Sequence, residues 1–168
     1  MNLNYAIFRS EPVMTTQDLS QIGSHNKREK QAYNSNPDIK LELSKDNIEL
    51  VPLAEKYLKG FDTLTKEYKK EHEERMKTER KSRKKKYHDM LNSSRNCVAD
   101  ELMFTATSEF FKNMTREDIN EWANTCMEFV YNDLGYTREQ IIHATVKKKK
   151  KTPHLHCVVV PLVKKFDK

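Results

Sequence analysis

The chain has 168 residues, 36% apolar and 33% charged, with three Gly and five Pro, which suits one domain with a buried core and excludes collagen-like and linker-type sequences. Lys and Arg number 31 against 25 Asp and Glu, a net charge of +6 that points mildly to an anionic partner such as nucleic acid. The longest apolar stretch, Cys157 to Val163, contains Pro161 and falls far short of the roughly 20 residues of a membrane-spanning helix.

Residues 3 to 10, Leu-Asn-Tyr-Ala-Ile-Phe-Arg-Ser, lack Gly and Pro and stop at Pro12, which predicts an N-terminal strand. Thr15 with Asp18 resembles a capping box, Leu19 and Ile22 share a helical face, and Gly23 is placed to end or weaken that helix. Ser24 to Arg28 then forms a polar, basic cluster. Ala32 to Asn47 carries Asn34, Asn36, Pro37 and Asp38 and reads as loop, before a short strand at Ile48 to Val51. Leu53, Tyr57, Leu58, Phe61, Leu64 and Tyr68 recur at helical spacing, and the pattern predicts one long helix over about 53–91. Its second half is almost wholly charged, acidic first and basic at Arg80, Lys81, Arg83, Lys84, Lys85 and Lys86. That half is either a solvated face laced by ion pairs or an arm that tracks phosphates.

Glu101 to Thr107 reads as a strand. Thr115 with Asp118 opens a second capped helix, in which Ile119, Trp122, Ala123, Cys126, Met127 and Val130 share one face as far as Gly135. Ile141 to Val146 and His154 to Val163 are two more strands. Cys97, Cys126 and Cys157 are odd in number and form no CxxC pair, so they read as small buried apolar residues. Met1 to Tyr5 lack the flank of a secretory signal, and a cytoplasmic protein without a membrane partner is expected.

The chemistry concentrates at the end, in Thr152-Pro153-His154-Leu155-His156-Cys157. On a strand His154 and His156 project to one side about 6.6 Å apart. Two imidazoles so placed suit a divalent metal or a phosphate, or are an ordinary surface pair, since a catalytic metal usually takes three protein ligands. His25 alone reads as a helix-end histidine near terminal carbonyls.

Taken with Ser24-His25-Asn26-Lys27-Arg28 and Asn36-Pro37-Asp38-Ile39, the Pro-His-Leu-His strand resembles the N-terminal relaxase domain of the Mob/Pre plasmid mobilisation and recombination proteins. These are the MobV type of histidine-hydrophobic-histidine endonuclease. The resemblance runs over nearly the whole chain and includes the Met103 to Ser108 strand and the capped helix. It implies an α+β relaxase-like domain over 1–168, or a piece of a longer one, with a central mainly antiparallel sheet and helices packed on one face. It also implies a bacterial cytoplasmic protein that binds plasmid DNA at a transfer origin, single-stranded or supercoiled. There it would nick one strand with manganese or magnesium and stay attached to the 5′ end. Residue by residue, His154 and His156 match metal ligands and His25 matches a nucleophile, with Tyr33 and Tyr5 as lesser candidates. Asn26, Arg28 and Asp38 match residues around that nucleophile, Asn26 and Arg28 as DNA contacts, with Arg80, Lys81, Arg83 and Lys84 as further ones.

One departure stands out. The family's last motif runs approximately His-x-Asp-Glu-x-x-Pro-His-x-His, which puts a third ligand at 147 and acids at 149 and 150. Here Lys147, Lys149 and Lys150 occupy those places, and an ammonium has no lone pair to give a metal. Two functions follow: a relaxase whose metal site is damaged, or a non-catalytic basic DNA-binding module using Arg80 to Lys86 and Lys147 to Lys151.

Overall fold

Five strands pair antiparallel throughout in the order β1-β3-β5-β4-β2: β1 (Ala6–Val13), β2 (Ile48–Val51), β3 (Ala99–Ala106), β4 (Ile141–Lys149) and β5 (Thr152–Val159). β5 is the central strand, flanked by β3 and β4, and is buried along most of its length. The computed structural model describes residues 3–27, 47–149 and 152–162. Around the sheet lie α1 (Thr16–Asn26), α2 (Tyr57–Leu64), α3 (Lys66–Thr78), α4 (Tyr87–Asn92), α5 (Ser108–Phe111) and α6 (Arg116–Asn132).

Strand alternation sorts the core into two halves. Leu102, Phe104, Ala144, Val146, Leu155, Cys157 and Val159 pack with Phe111 of α5 and with Ile119, Ala123, Met127 and Val130 of α6. The expected helix-covered face is this one. The opposite face also carries helices, because Val13, Ala99, Ile142, Val158 and Val160 pack with Leu19 of α1, Tyr57 and Phe61 of α2 and Tyr87 of α4. That second layer covers only part of its face, and the polar cleft lies at the rest. In β4 a bulge sets Ile142 and His143 against the single residue Val158, one extra residue on one strand.

Both capping boxes form as read: Thr15 with Asp18 and Thr115 with Asp118 each exchange side-chain and backbone hydrogen bonds. Gly23 does not stop α1, which runs on to Asn26. Its lack of a side chain serves packing instead, since a Cβ there would come within 2.7 Å of the Tyr57 ring. Gly135 does end its segment, at φ 77°, a left-handed conformation open to glycine.

The single helix expected over 53–91 is corrected to three helices and a 3₁₀ turn at Lys81–Arg83. The first break is at Thr65, whose hydroxyl turns back to the Phe61 carbonyl at 2.9 Å. The second follows Thr78, where Glu79 and Arg80 are extended and no apolar stripe remains to hold a helix on the core. The chain then doubles back, and the buried His72 bonds the Lys85 carbonyl through Nε2 at 2.8 Å.

Candidate functional site

β5 places His154 and His156 on the partly covered face, with ring centroids 6.4 Å apart. Opposite them in register β4 supplies Lys147 against His154 and Thr145 against His156, and β3 supplies Met103 against His156. His25, in the last turn of α1, joins them from above. His25 and His156 line one cavity of about 180 Å³ together with Arg9, Glu11, Glu101 and Met103. The fold thus unites the histidine at one end of the sequence with the strand at the other.

His156 is 6% exposed. Its Nδ1 donates to the Glu101 carboxylate at 2.7 Å, which leaves Nε2 as the lone-pair nitrogen. That Nε2 is buried and has no hydrogen-bond partner. Burial above all, and the positive charge of Lys147, push the imidazole down to about 4 against the pull of Glu101, so it is neutral at pH 7. Burial by itself would raise Glu101. Hydrogen bonds from His156 and Asn26, with the charge of Lys147, outweigh it and hold the carboxyl below its ordinary range. A carboxylate behind a histidine fixes its tautomer and orientation.

Lys147 turns inward and is 1% exposed, while Lys148 beside it is exposed. Lys147 is thus a buried strand residue and not part of a solvated turn. Its ammonium donates to Asn26 Oδ1 at 2.6 Å and to the His25 carbonyl at 3.4 Å. Asn26, itself 1% exposed, donates through Nδ2 to the Tyr57 hydroxyl at 3.2 Å and to Glu101 at 3.4 Å. The expectation that Asn26 contacts DNA is corrected by this burial: the amide is a hub inside the fold. From it the line continues outward. Tyr57, kept protonated because burial pushes its hydroxyl well above the usual phenol range, donates to His143 Nδ1 at 2.6 Å. His143 Nε2 donates to Glu49 at 2.6 Å, which Thr145 also reaches at 2.9 Å.

The other expected residues divide. Arg80, Lys81, Arg83 and Lys84 are exposed on the turn between α3 and α4, and none of them lines the His25 cavity. Tyr5 is exposed at the edge, before β1. Arg28, Tyr33, Asp38 and Lys150 lie outside the described residues, as does the side chain of Lys149. Arg9, Glu49, Tyr57, Glu101 and His143 were not foreseen. Glu101 did leave a signal, an acid on the same strand face as Met103 and Thr105. Among the described residues no group of three or more His, Cys, Asp or Glu is placed to hold a metal ion.

Comparison with known proteins gives one consistent answer. The Mob_Pre family model, described as plasmid recombination enzyme, matches residues 2–168. The chain is 26% identical over 160 residues to the plasmid recombination enzyme type 1 of Staphylococcus aureus, covering 95% of this chain and 35% of that protein. Against the plasmid recombination enzyme of a Bacillus species the identity is again 26% over 160 residues, with 95% and 34% covered. The chain therefore spans about a third of the length of these relatives. Among solved structures it is similar to the MobM relaxase domain bound to plasmid pMV158 oriT DNA, Mn-bound at pH 6.8. The TM-score is 0.69 at 24% identity, covering 95% of this chain and 71% of that one. At that identity the likeness shows a shared fold.

Proposed function

The chain belongs to the Mob_Pre family of plasmid recombination enzymes, and from that premise we propose that it is a relaxase-type domain that receives plasmid DNA at a transfer origin, with a phosphodiester seated between His25 and the His154–His156 strand. The carrying observation is the single cavity that His25 and His156 share with Arg9. The reaction of such a site is attack by the His25 imidazole on phosphorus. An N–P bond forms to the phosphate of the 5′ end, the P–O3′ bond breaks, and the proton lost from the other imidazole nitrogen passes through solvent to the departing 3′ oxygen. Arg9 is the cation on the cavity wall suited to a phosphate oxygen. Exposed Arg80, Lys81, Arg83 and Lys84, with Arg28, provide outer contacts that neutralise phosphates and release counterions. The DNA is a single strand exposed in supercoiled plasmid, in the bacterial cytoplasm where plasmids lie.

The solved relative is Mn-bound, and the residues here do not fit such an ion. His154 and His156 offer two imidazoles with Glu101 behind one of them. The position opposite His154 is a buried ammonium. A monovalent cation about 5 Å from a divalent one costs on the order of 6 kcal/mol at an effective dielectric near 20. Lys147 thus favours a domain that binds its DNA and has lost most of its strand cleavage.

The test is nicking of supercoiled plasmid carrying a cognate origin, with manganese, by the chain and by the variant Lys147→His, Lys149→Asp, Lys150→Glu. The expected result is origin binding by both and nicking with covalent attachment only by the variant. Equal nicking by both overturns the loss of cleavage. Covalent attachment that survives His25→Ala in the variant removes His25 as nucleophile, and binding no tighter than to unrelated plasmid overturns the domain reading.

A further inference from the structure

Resting on the reading of the His25 cavity as the DNA site, we propose that Lys147 is a resident cation that assembles this cavity in a metal's stead, so that it takes a phosphodiester without any divalent ion. A buried ammonium costs several kcal/mol unless it is hydrogen-bonded and paired. Here it is bonded on several sides. The Asn26 amide oxygen accepts at 2.6 Å and the His25 carbonyl at 3.4 Å. The second acceptor lies in the last turn of α1, where the partial negative charge of a helix end favours a cation. Asn26 passes the connection to Glu101, and Glu101 fixes His156.

One positive charge therefore ties the end of α1, which carries His25, to β3 through Asn26 and Glu101, and from there to His156 on β5. A metal held by histidines on the sheet would draw together the same pieces. Lys147 does so permanently, from a position 1% exposed, while its neighbour Lys148 stays in solvent. Strand alternation turns Lys147 toward the cleft and Lys148 to the opposite side. The ligand class is a DNA phosphodiester, admitted beside Arg9 on a wall that also carries Glu11 and Glu101, with Lys147 behind that wall offsetting the Glu101 carboxylate.

Two readouts decide the matter. Manganese uptake is followed by electron paramagnetic resonance, and oligothymidylate binding by fluorescence anisotropy, in manganese or in EDTA. The unmodified chain is expected to take up no manganese and to bind the oligonucleotide within about twofold in either buffer, a difference below 0.5 kcal/mol. Lys147→His is expected to take up manganese and to bind more tightly with it. Lys147→Met is expected to weaken binding about tenfold, because Asn26 and the His25 carbonyl lose the charged donor that ties the cavity together, and Lys147→Arg to restore most of it. Circular dichroism identifies a variant that has not folded, and the unmodified and Lys147→His arms then decide. Manganese uptake by the unmodified chain, loss of its binding in EDTA, or full binding by a folded Lys147→Met overturns the proposal. If the unmodified chain binds no oligonucleotide in either buffer, the DNA reading falls and uptake alone decides. Uptake by Lys147→His only sustains the resident cation; uptake by both or by neither overturns it.

Discussion

Along β4 and β5 neighbouring side chains go to opposite fates. Ala144, Val146, Leu155, Cys157 and Val159 sink into the apolar layer beneath α6. Thr145, Lys147 and His156, one step away on the same strands, are equally buried but polar. The α6 side needs only shape and hydrophobicity, because nothing in it requires a partner. The other side has to satisfy an ammonium, imidazoles and an amide, and it does so with one line from Lys147 through Asn26, Tyr57 and His143 to Glu49. Burial on the first side supplies stability. On the second it is used to hold charge and tautomer where water would otherwise set them.

The contrast is most sharply broken at Asn26. Asn26→Ala removes the acceptor of a buried ammonium, and a loss of about 4 kcal/mol is expected in urea unfolding, together with weaker DNA binding. On the apolar side Met127→Ala, at a residue 4% exposed, is expected to cost about 3 kcal/mol by cavity formation. Its DNA affinity at a temperature where it remains folded is expected to be unchanged. If Met127→Ala impairs binding as much as Asn26→Ala, the two faces are not separate in function.

A smaller effect is expected where α1 meets α2. Gly23→Ala puts a methyl against the Tyr57 ring at 2.7 Å, and overpacking of this kind costs about 2 kcal/mol. Since Tyr57 bonds Asn26, the variant is expected to lose some DNA binding along with its melting temperature.

The smallest effect concerns the outer end of the polar line. Burial would raise the Glu49 carboxyl, but the hydrogen bonds from His143 and Thr145 outweigh it and hold it below its ordinary 4.5. A carboxyl depressed in the folded state contributes its full stability above about 4.5 and loses it as pH falls through the lower folded value. Glu49 is 42% exposed in its side chain, which limits the contribution to under about 1 kcal/mol. Glu49→Gln is therefore expected to flatten slightly the acid limb of a stability-against-pH curve measured by urea unfolding. An unchanged limb would detach Glu49 from the line.

Much of this was legible in the chain itself. The strands showed through apolar alternation, and Thr15-Asp18 and Thr115-Asp118 marked two helix starts that form as capping boxes. The His-x-His strand and the lysine in front of it pointed to the candidate cleft. The breaks at Thr65 and Glu79 were hidden because charged helix formers suit one helix or several equally, and packing against the sheet makes the choice. The role of Asn26 was hidden for a different reason. Its partners Tyr57, Glu101 and Lys147 are scattered along the chain, and only the folded sheet brings them to one amide. Gly23 shows the same limit, since a helix-ending glycine and a glycine making room for a ring look alike in sequence.

The bulge in β4 has a bearing on how these demands coexist. A regular strand gives each face every second residue, so a position spent on anchoring a helix is lost to chemistry. By setting two residues against Val158, β4 presents Ile142 to Tyr57 and Phe61 in the apolar packing with α2 and His143 to the Tyr57 hydroxyl in immediate succession. The extra residue lets one short stretch of strand grip the greasy flank of α2 and hydrogen-bond its polar tip at once.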